Sequence, residues 1–318
     1  MEKKVLLLNI DAPKKGKYQF FLEWFKEAWL FNGGDVMSKI ELPYTLRMGI
    51  AKFKLGRSTF LRNKKKAILI IGGPYIDFTA FPYNYFYEVI PIFWDTWQKY
   101  HTSLISSLKR NKVKHAFFTQ RSVAEMVKRE IPNIETYWLP EGIKPSLYKK
   151  GKLLKDRHID ILQYGRNYNE YHHKITNIQN NYNYIYTNHL TDKIFNTFED
   201  LTNGISDAKI NICFPRSYTH PEISGGIETL TQRYWEGILS RNIIVGHAPQ
   251  ELVDFMGYNP VIEVDFDNAE KQLLDIINNI EDYQDFVDNN YLKAVELCSW
   301  DFRIREIKNK LKNKGYKI

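Results

Sequence analysis

Cysteine is scarce in this chain. The two present among 318 residues, Cys213 and Cys298, have a spacing that suits neither a metal site nor a redox pair. Cys213 lies in an apolar run and is expected to be inert packing. No window approaches eighteen consecutive apolar residues, which excludes a membrane-spanning helix. The opening Met1-Glu2-Lys3-Lys4 and the short run 5–10 lack the long apolar region and cleavage site of a secretory signal, so a cytoplasmic location is expected. Internal repeats are missing. The pair His172-His173 is completed by no carboxylate or cysteine pattern, and no Asp-x-Asp is paired with a metal-ligand cluster, so no metal and no cofactor is expected.

Acidic residues are missing too between Glu41 and Asp77, while Arg47, Lys52, Lys54, Arg57, Arg62, Lys64, Lys65 and Lys66 all fall there, interleaved with Tyr44, Leu46, Met48, Ile50, Phe53, Leu55, Phe60 and Leu61. A solvated basic loop is one reading of residues 47–66. The other is a patch that rests on an anionic membrane surface, its apolar side chains dipping into the interface, in keeping with a location at the inner face of the membrane. Nucleic acid is not favoured, because no motif of a binding module accompanies the charge. The whole chain has a net charge of +8, which suits an anionic partner of some kind. Its length sets an expectation of two domains, and its 43% hydrophobic content is enough to build their cores.

Short apolar runs alternating with helical patterns predict an open α/β sheet. Strands are expected at 5–10, 36–42, 67–71, 90–94, 114–119 and 137–139, with helices at 20–31 and 123–130 and a polar turn at Gly16. Asp95 would then sit at the carboxyl edge of a strand, where such sheets bind ligands, or else serve as a helix cap. His101 is a weaker candidate. Lysines in 149–155 mark a domain boundary. The second half predicts strands at 158–164, 180–186, 209–215 and 261–264, and helices at 192–202 and 270–280.

The chemistry concentrates in 224–246, SGGIETLTQRYWEGILSRNIIVG. Thr229-x-x-Gln232 has the form of a capping box, so a helix is expected to start near Leu230. On a wheel of about 100° per residue, Leu230, Tyr234, Trp235, Ile238 and Leu239 share a core-facing half, and Thr229, Arg233 and Glu236 gather on the other. Free amides and the positive dipole end at the helix start suit an anion. A diphosphate there, with hydroxyl-bearing sugars near Glu228 and Glu236, describes a nucleotide sugar.

Glu228-x7-Glu236, followed by Gly237, by Ser240-Arg241-Asn242 and by the strand 243–246, resembles the E-x7-E signature of retaining GT-B glycosyltransferases of the family-4 type. Residues 231–236 also resemble the Ser-x-Arg-x-x-Glu variant of a related group. Pro140-Glu141-Gly142-Ile143-Lys144-Pro145 is similar to the interdomain linker of those enzymes, and the segment from Cys298-Ser299-Trp300 to the one that crosses back onto their first domain. The resemblance implies a fold of two Rossmann-like domains facing a cleft: an acceptor domain in 1–148, a nucleotide-sugar donor domain in 149–299, and a helix in 300–318 on the first. It implies that Glu236 binds the ribose and Glu228 the donor sugar. Arg166, with the amides of Thr229, Leu230 and Thr231, would hold the diphosphate of a UDP- or GDP-linked sugar, helped by Lys174 and Arg233. The other reading of Arg166 and Lys174 is ordinary surface charge. In place of the family's Glu-Gly-Phe-Gly stands Glu228-Thr229-Leu230-Thr231, and Lys174 follows Arg166 by eight residues rather than about five. The implied reaction is metal-independent transfer with retention to a glycan, lipid-linked or protein acceptor. Asp95 is the alternative catalytic participant beside Glu228. A non-catalytic nucleotide- or nucleic-acid-binding protein of the same fold and a sugar-nucleotide epimerase are the competing readings.

Overall fold

A computed structural model describes residues 2–9, 20–53, 63–74, 76–187 and 195–318. Gly16 of the expected turn, residues 54–62 of the basic segment, and 192–194 lie outside the described residues. The strands in chain order are β1 (Lys3–Leu8), β2 (Asp35–Met37), β3 (Lys66–Gly72), β4 (Glu88–Phe93), β5 (His115–Phe118), β6 (Glu135–Trp138), β7 (Ile159–Gln163), β8 (Tyr184–Tyr186), β9 (Ala208–Cys213), β10 (Ile243–Gly246), β11 (Val261–Glu263) and β12 (Tyr316–Lys317). Every pairing among them is parallel. Parallel strands are covered on both faces, which is why β1, β3 and β4 read as near-continuous apolar runs.

Two compact units form, Met1–Gly142 with Trp300–Ile318, and Ile143–Ser299. In the first, β1 pairs with β3 along one edge and with β2 and β12 end to end along the other, followed by β4, β5 and β6. In the second the order is β11-β10-β9-β7-β8. Each unit therefore has its first strand next to its second on one side and its third on the other, the doubly wound order with a switch point beside the first strand. The division falls ahead of the lysines of 149–155. Gly142 is pressed so close to Trp300 that a Cβ would meet the indole at 2.7 Å, whereas Ile143 donates to the Cys298 carbonyl and bridges Ser299.

Trp300 opens the helix Trp300–Lys312, which packs in the first unit against the aromatic helix Phe20–Phe31. Its ring centroid lies 5.3 Å from that of Phe25 and 5.9 Å from that of Trp94. In the second unit the two-residue period of the strands sorts the helices between two faces. Ile161, Ile210, Ile212, Ile243 and Val245 pack with Tyr171, Ile175, Leu273 and Ile276 on one. On the other, Asn211 and Ile244 lie under Gly237 of the helix Gln232–Leu239, and Leu162 packs with Ile205 and Leu201.

Several elements are displaced from their sequence-based positions. The expected strand 36–42 shrinks to β2 and 180–186 to β8. The helix expected over 192–202 is Phe198–Ser206. It starts there because Thr197 and Asp200 form a reciprocal capping box. The basic segment carries a helix, Tyr44–Phe53, that the sequence pattern did not suggest. Among the described residues no helix is long and apolar enough to cross a membrane.

Candidate functional site

Chemistry-bearing side chains of the second unit converge at its switch point, the carboxyl ends of β7 and β9. Crossovers from these two strands leave to opposite faces, and the crevice between them is where open α/β sheets hold ligands. Gly165, at φ 77°, turns the chain off β7 and leaves room for Arg233, whose Cδ would lie 3.4 Å from a Cβ there. The Arg233 guanidinium donates to the carbonyls of Tyr164 at 3.2 Å, Arg166 at 2.9 Å and Phe214 at 3.3 Å. A planar fork with fixed donors is well suited to tie two strand ends together. Arg233, expected to touch the donor, thus ties down the turn that carries Arg166. Arg166 itself is half-buried on that turn.

Glu236 lies on the same helix. Its carboxylate accepts from Tyr148 Oη at 3.0 Å and from Tyr164 Oη at 2.7 Å, one phenol on each oxygen. Burial holds its pKa above the ordinary carboxylate range, although the two tyrosine bonds and the charge of Arg233 pull it down. Burial first, and then the neighbouring carboxylate, push both phenols well up, so both stay protonated and donate. Each carboxylate oxygen keeps a second lone pair for a ligand hydroxyl.

Glu228 precedes the helix in the loop and is half-buried. Its Oε1 lies 3.1 Å from His247 Nε2 and accepts from Ser217 Oγ at 3.4 Å. The other ring nitrogen of His247, Nδ1, lies 3.0 Å from Glu263 Oε2. Facing carboxylates at both nitrogens, the imidazole is raised above its ordinary pKa, chiefly by the bond to Glu228 and against the desolvation that lowers it. Tyr218 packs its ring on His247 with centroids 4.9 Å apart, and Tyr234 Oη donates to the His247 carbonyl at 2.6 Å. Sequence reasoning missed His247, Glu263, Tyr148 and Tyr164. For His247 a signal existed, since it directly follows the buried run 243–246 and so stands at a carboxyl strand edge.

The start of the helix differs from expectation. Thr231 is its N-cap, with φ −102° and ψ 162°, and the helix runs Gln232–Leu239. The Leu230 amide, within the expected first turn, donates to Glu251 Oε2 at 2.9 Å. That carboxylate comes from the helix Gln250–Met256. The five apolar positions of the wheel are nonetheless all buried. Thr229 and Thr231 are buried as well, and the Thr231 hydroxyl oxygen has no hydrogen-bond partner among the described residues. With the cap at Thr231, Glu236 stands about 7 Å along the axis from the helix start, nearer the amides than the expected cap allowed.

Lys174 is not brought to this site. It is exposed in the last turn of the helix Asn169–Ile175, which packs through Tyr171 and Ile175 on the sheet face opposite Gln232–Leu239. A helix that follows a strand in a parallel crossover runs back toward the amino edge of the sheet, so its last turn leads away from the switch point. Asp95 belongs to the first unit, exposed just past β4 with φ 55°, a left-handed conformation that aspartate tolerates better than most residues. His101 places Nε2 3.1 Å from the Thr96 carbonyl.

No family model matches the sequence, and no curated protein matches it. Solved structures do match in fold. HepE of Anabaena, in complex with UDP and glucose, superposes with a TM-score of 0.60 at 8% identity, over 98% of this chain and 100% of that one. Sucrose-phosphate synthase of Thermosynechococcus elongatus gives 0.59 at 11% identity over 98% of each chain. TarM gives 0.54 at 13% identity over 78% of this chain, which spans 55% of TarM's length. The fold is the α/β architecture of two parallel-sheet domains found in GT-B glycosyltransferases.

Proposed function

We propose that this protein is a glycosyltransferase that moves a sugar from a UDP- or GDP-linked donor to a glycan, lipid-linked or protein acceptor, with retention at the anomeric carbon and without a metal ion. The observation that carries the reading is the pair of glutamates at the switch point of the second unit, Glu236 between two phenols and Glu228 on His247. Glu236 accepts the ribose hydroxyls and Glu228 those of the donor sugar. Arg166 and the helix start at Thr231 hold the diphosphate, with Arg233 fixing the turn on which Arg166 sits. Of the amides at 229–231, that of Leu230 is engaged by Glu251, so the role passes to the turn beginning at Thr231. In the reaction the bond from the anomeric carbon to the phosphate oxygen breaks, the acceptor oxygen bonds to the same face, and its proton passes to the departing phosphate. The charge that develops there is met by cationic and amide groups. Asp95 is the residue to test as an alternative participant. NMR of the product, made with and without chelator, is expected to show the donor's own anomeric configuration in both cases. An inverted product would sink the assignment, and activity lost to chelator and restored by a divalent cation would sink the metal-free step.

The acceptor side carries a second proposal, contact with an anionic membrane. On the helix Tyr44–Phe53, Tyr44 is 67% and Phe53 72% exposed, with Leu46 and Met48 also open, beside exposed Lys52, Lys64, Lys65 and Lys66. Arg47 does not belong to that surface. It is 9% exposed, bonded to the Phe78 carbonyl at 2.8 Å and set over the Phe78 ring at 4.4 Å. The protein is expected to sediment with vesicles containing acidic lipid and not with neutral ones, and Lys64, Lys65 and Lys66 changed together to Glu should release it. Each basic residue near such a surface contributes about 1 kcal/mol. Equal binding to both kinds of vesicle, or to neither, leaves only a solvated basic loop.

A further inference from the structure

We propose that His247, held as a cation between Glu228 and Glu263, is the positioning residue that aims the Glu228 carboxylate at the hydroxyls of a neutral donor sugar. The inference rests on the donor-site reading above. Its geometric basis is a linear relay of three side chains: Glu263 Oε2 to His247 Nδ1 at 3.0 Å, and His247 Nε2 to Glu228 Oε1 at 3.1 Å. A neutral imidazole has one donor and could serve only one of these carboxylates, so the arrangement calls for the imidazolium. Glu263 is itself fixed, its Oε1 accepting from the Ala248 amide at 3.0 Å and from Asn259 Nδ2 at 3.1 Å. Ser217 and His247 both bind Oε1 of Glu228, and among the described residues these are the partners of that carboxylate. Oε2 is thus the oxygen turned to a ligand. The cation also halves the local charge. Two carboxylates with an imidazolium sum to one negative charge, while without it two negative charges would face a donor whose diphosphate is already anionic.

The groups facing the ring are Glu228 from the loop before the site helix, Glu263 from the end of β11, and the Tyr218 phenol. Both carboxylates favour the charged ring. The relay is therefore complete below the ordinary imidazole range and is lost as pH rises through the raised pKa of His247. The experiment compares dissociation constants of UDP with UDP-glucose, and of GDP with GDP-mannose, from pH 6 to 9, and follows the His247 ring by NMR in the same samples. In the wild type the gain in affinity contributed by the sugar is expected to shrink as the ring deprotonates. His247→Gln should cut that gain by about tenfold at pH 6, the loss of one charge-assisted hydrogen bond, and should make it independent of pH. Glu263→Gln, which keeps the side chain's size and removes its charge, should lower the ring's pKa and move the pH profile with it. A ring that titrates alike in the wild type and in Glu263→Gln overturns the relay. A sugar gain that survives in His247→Gln overturns the positioning role and leaves the donor site standing. Failure of all four probes to bind, with the ring titrating as described, removes the donor-site reading itself.

Discussion

Replacing Glu236 with alanine is expected to weaken nucleotide-sugar binding by roughly 1.5–3 kcal/mol, a tenfold to more than hundredfold rise in Kd, as charged hydrogen bonds to the ribose are lost. Alanine also strips the acceptor from Tyr148 and Tyr164, whose buried hydroxyls would then cost about 1–3 kcal/mol of stability each if left unpaired. Glutamine separates the two effects. Burial raises the Glu236 pKa in the folded protein. The folded state therefore binds its proton more readily than the unfolded one, and stability falls as pH rises from the ordinary carboxylate range through the raised value, above which the cost is complete. Glu236→Gln, which carries no charge to bury, should melt no lower than the wild type at neutral pH and still lose donor affinity. Calorimetric titration with the donor and thermal melts of both variants check this. Normal affinity in a well-folded glutamine variant would reduce Glu236 to an anchor for two tyrosines.

Gly246→Ala is the substitution expected to damage the fold most. Gly246 ends β10 at φ 152°, and a Cβ there would lie 1.9 Å from the Cys213 carbonyl oxygen and 2.8 Å from its carbon. Both atoms are backbone of the neighbouring strand and cannot swing away. The strained conformation and the overpacking together should remove roughly 2–6 kcal/mol. The same close approach lets the next amide, that of His247, reach the Cys213 carbonyl at 3.2 Å. The variant should therefore also displace His247 and lose donor-sugar affinity in whatever fraction remains folded. Gly257→Ala is the control: its φ is 79°, but nothing lies within 4 Å of a Cβ there, so only the conformational cost of about 1 kcal/mol applies. Urea melts that give the two variants equal losses would show that the contact with Cys213 is relieved by movement of β10.

The parts of this architecture readable from sequence are those set by burial. Runs such as 67–71 and 243–246 are apolar because parallel strands are covered on both faces, and Tyr234, Trp235, Ile238 and Leu239 fall on one side of a helix at a period that survives any choice of partner. Polar contacts followed no such rule. Glu228 and Glu236 were visible as a spaced pair, but Tyr148, Tyr164, His247 and Glu263 meet them only because the switch point brings together strands far apart in the chain. The start of the site helix also moved, its N-cap falling at Thr231. There the Leu230 amide bonds Glu251, twenty-one positions away, a contact that no local pattern reveals. Lys174 was misplaced because spacing along the chain does not reveal which face of the sheet a helix covers.

The strand β12 and the helix before it belong to a unit whose other strands are all translated before the second unit begins. On the ribosome, the stretch through Gly142 emerges with β1 lacking its Tyr316–Lys317 partner and with Phe25 and Trp94 lacking the indole of Trp300. The intervening second unit is continuous in sequence and complete at Ser299. It can close its own core while the first waits with apolar surface open to chaperones or to neighbouring nascent chains, the condition in which large proteins misassemble. The segment 300–318 thus completes the first unit only after the whole of the second has been made.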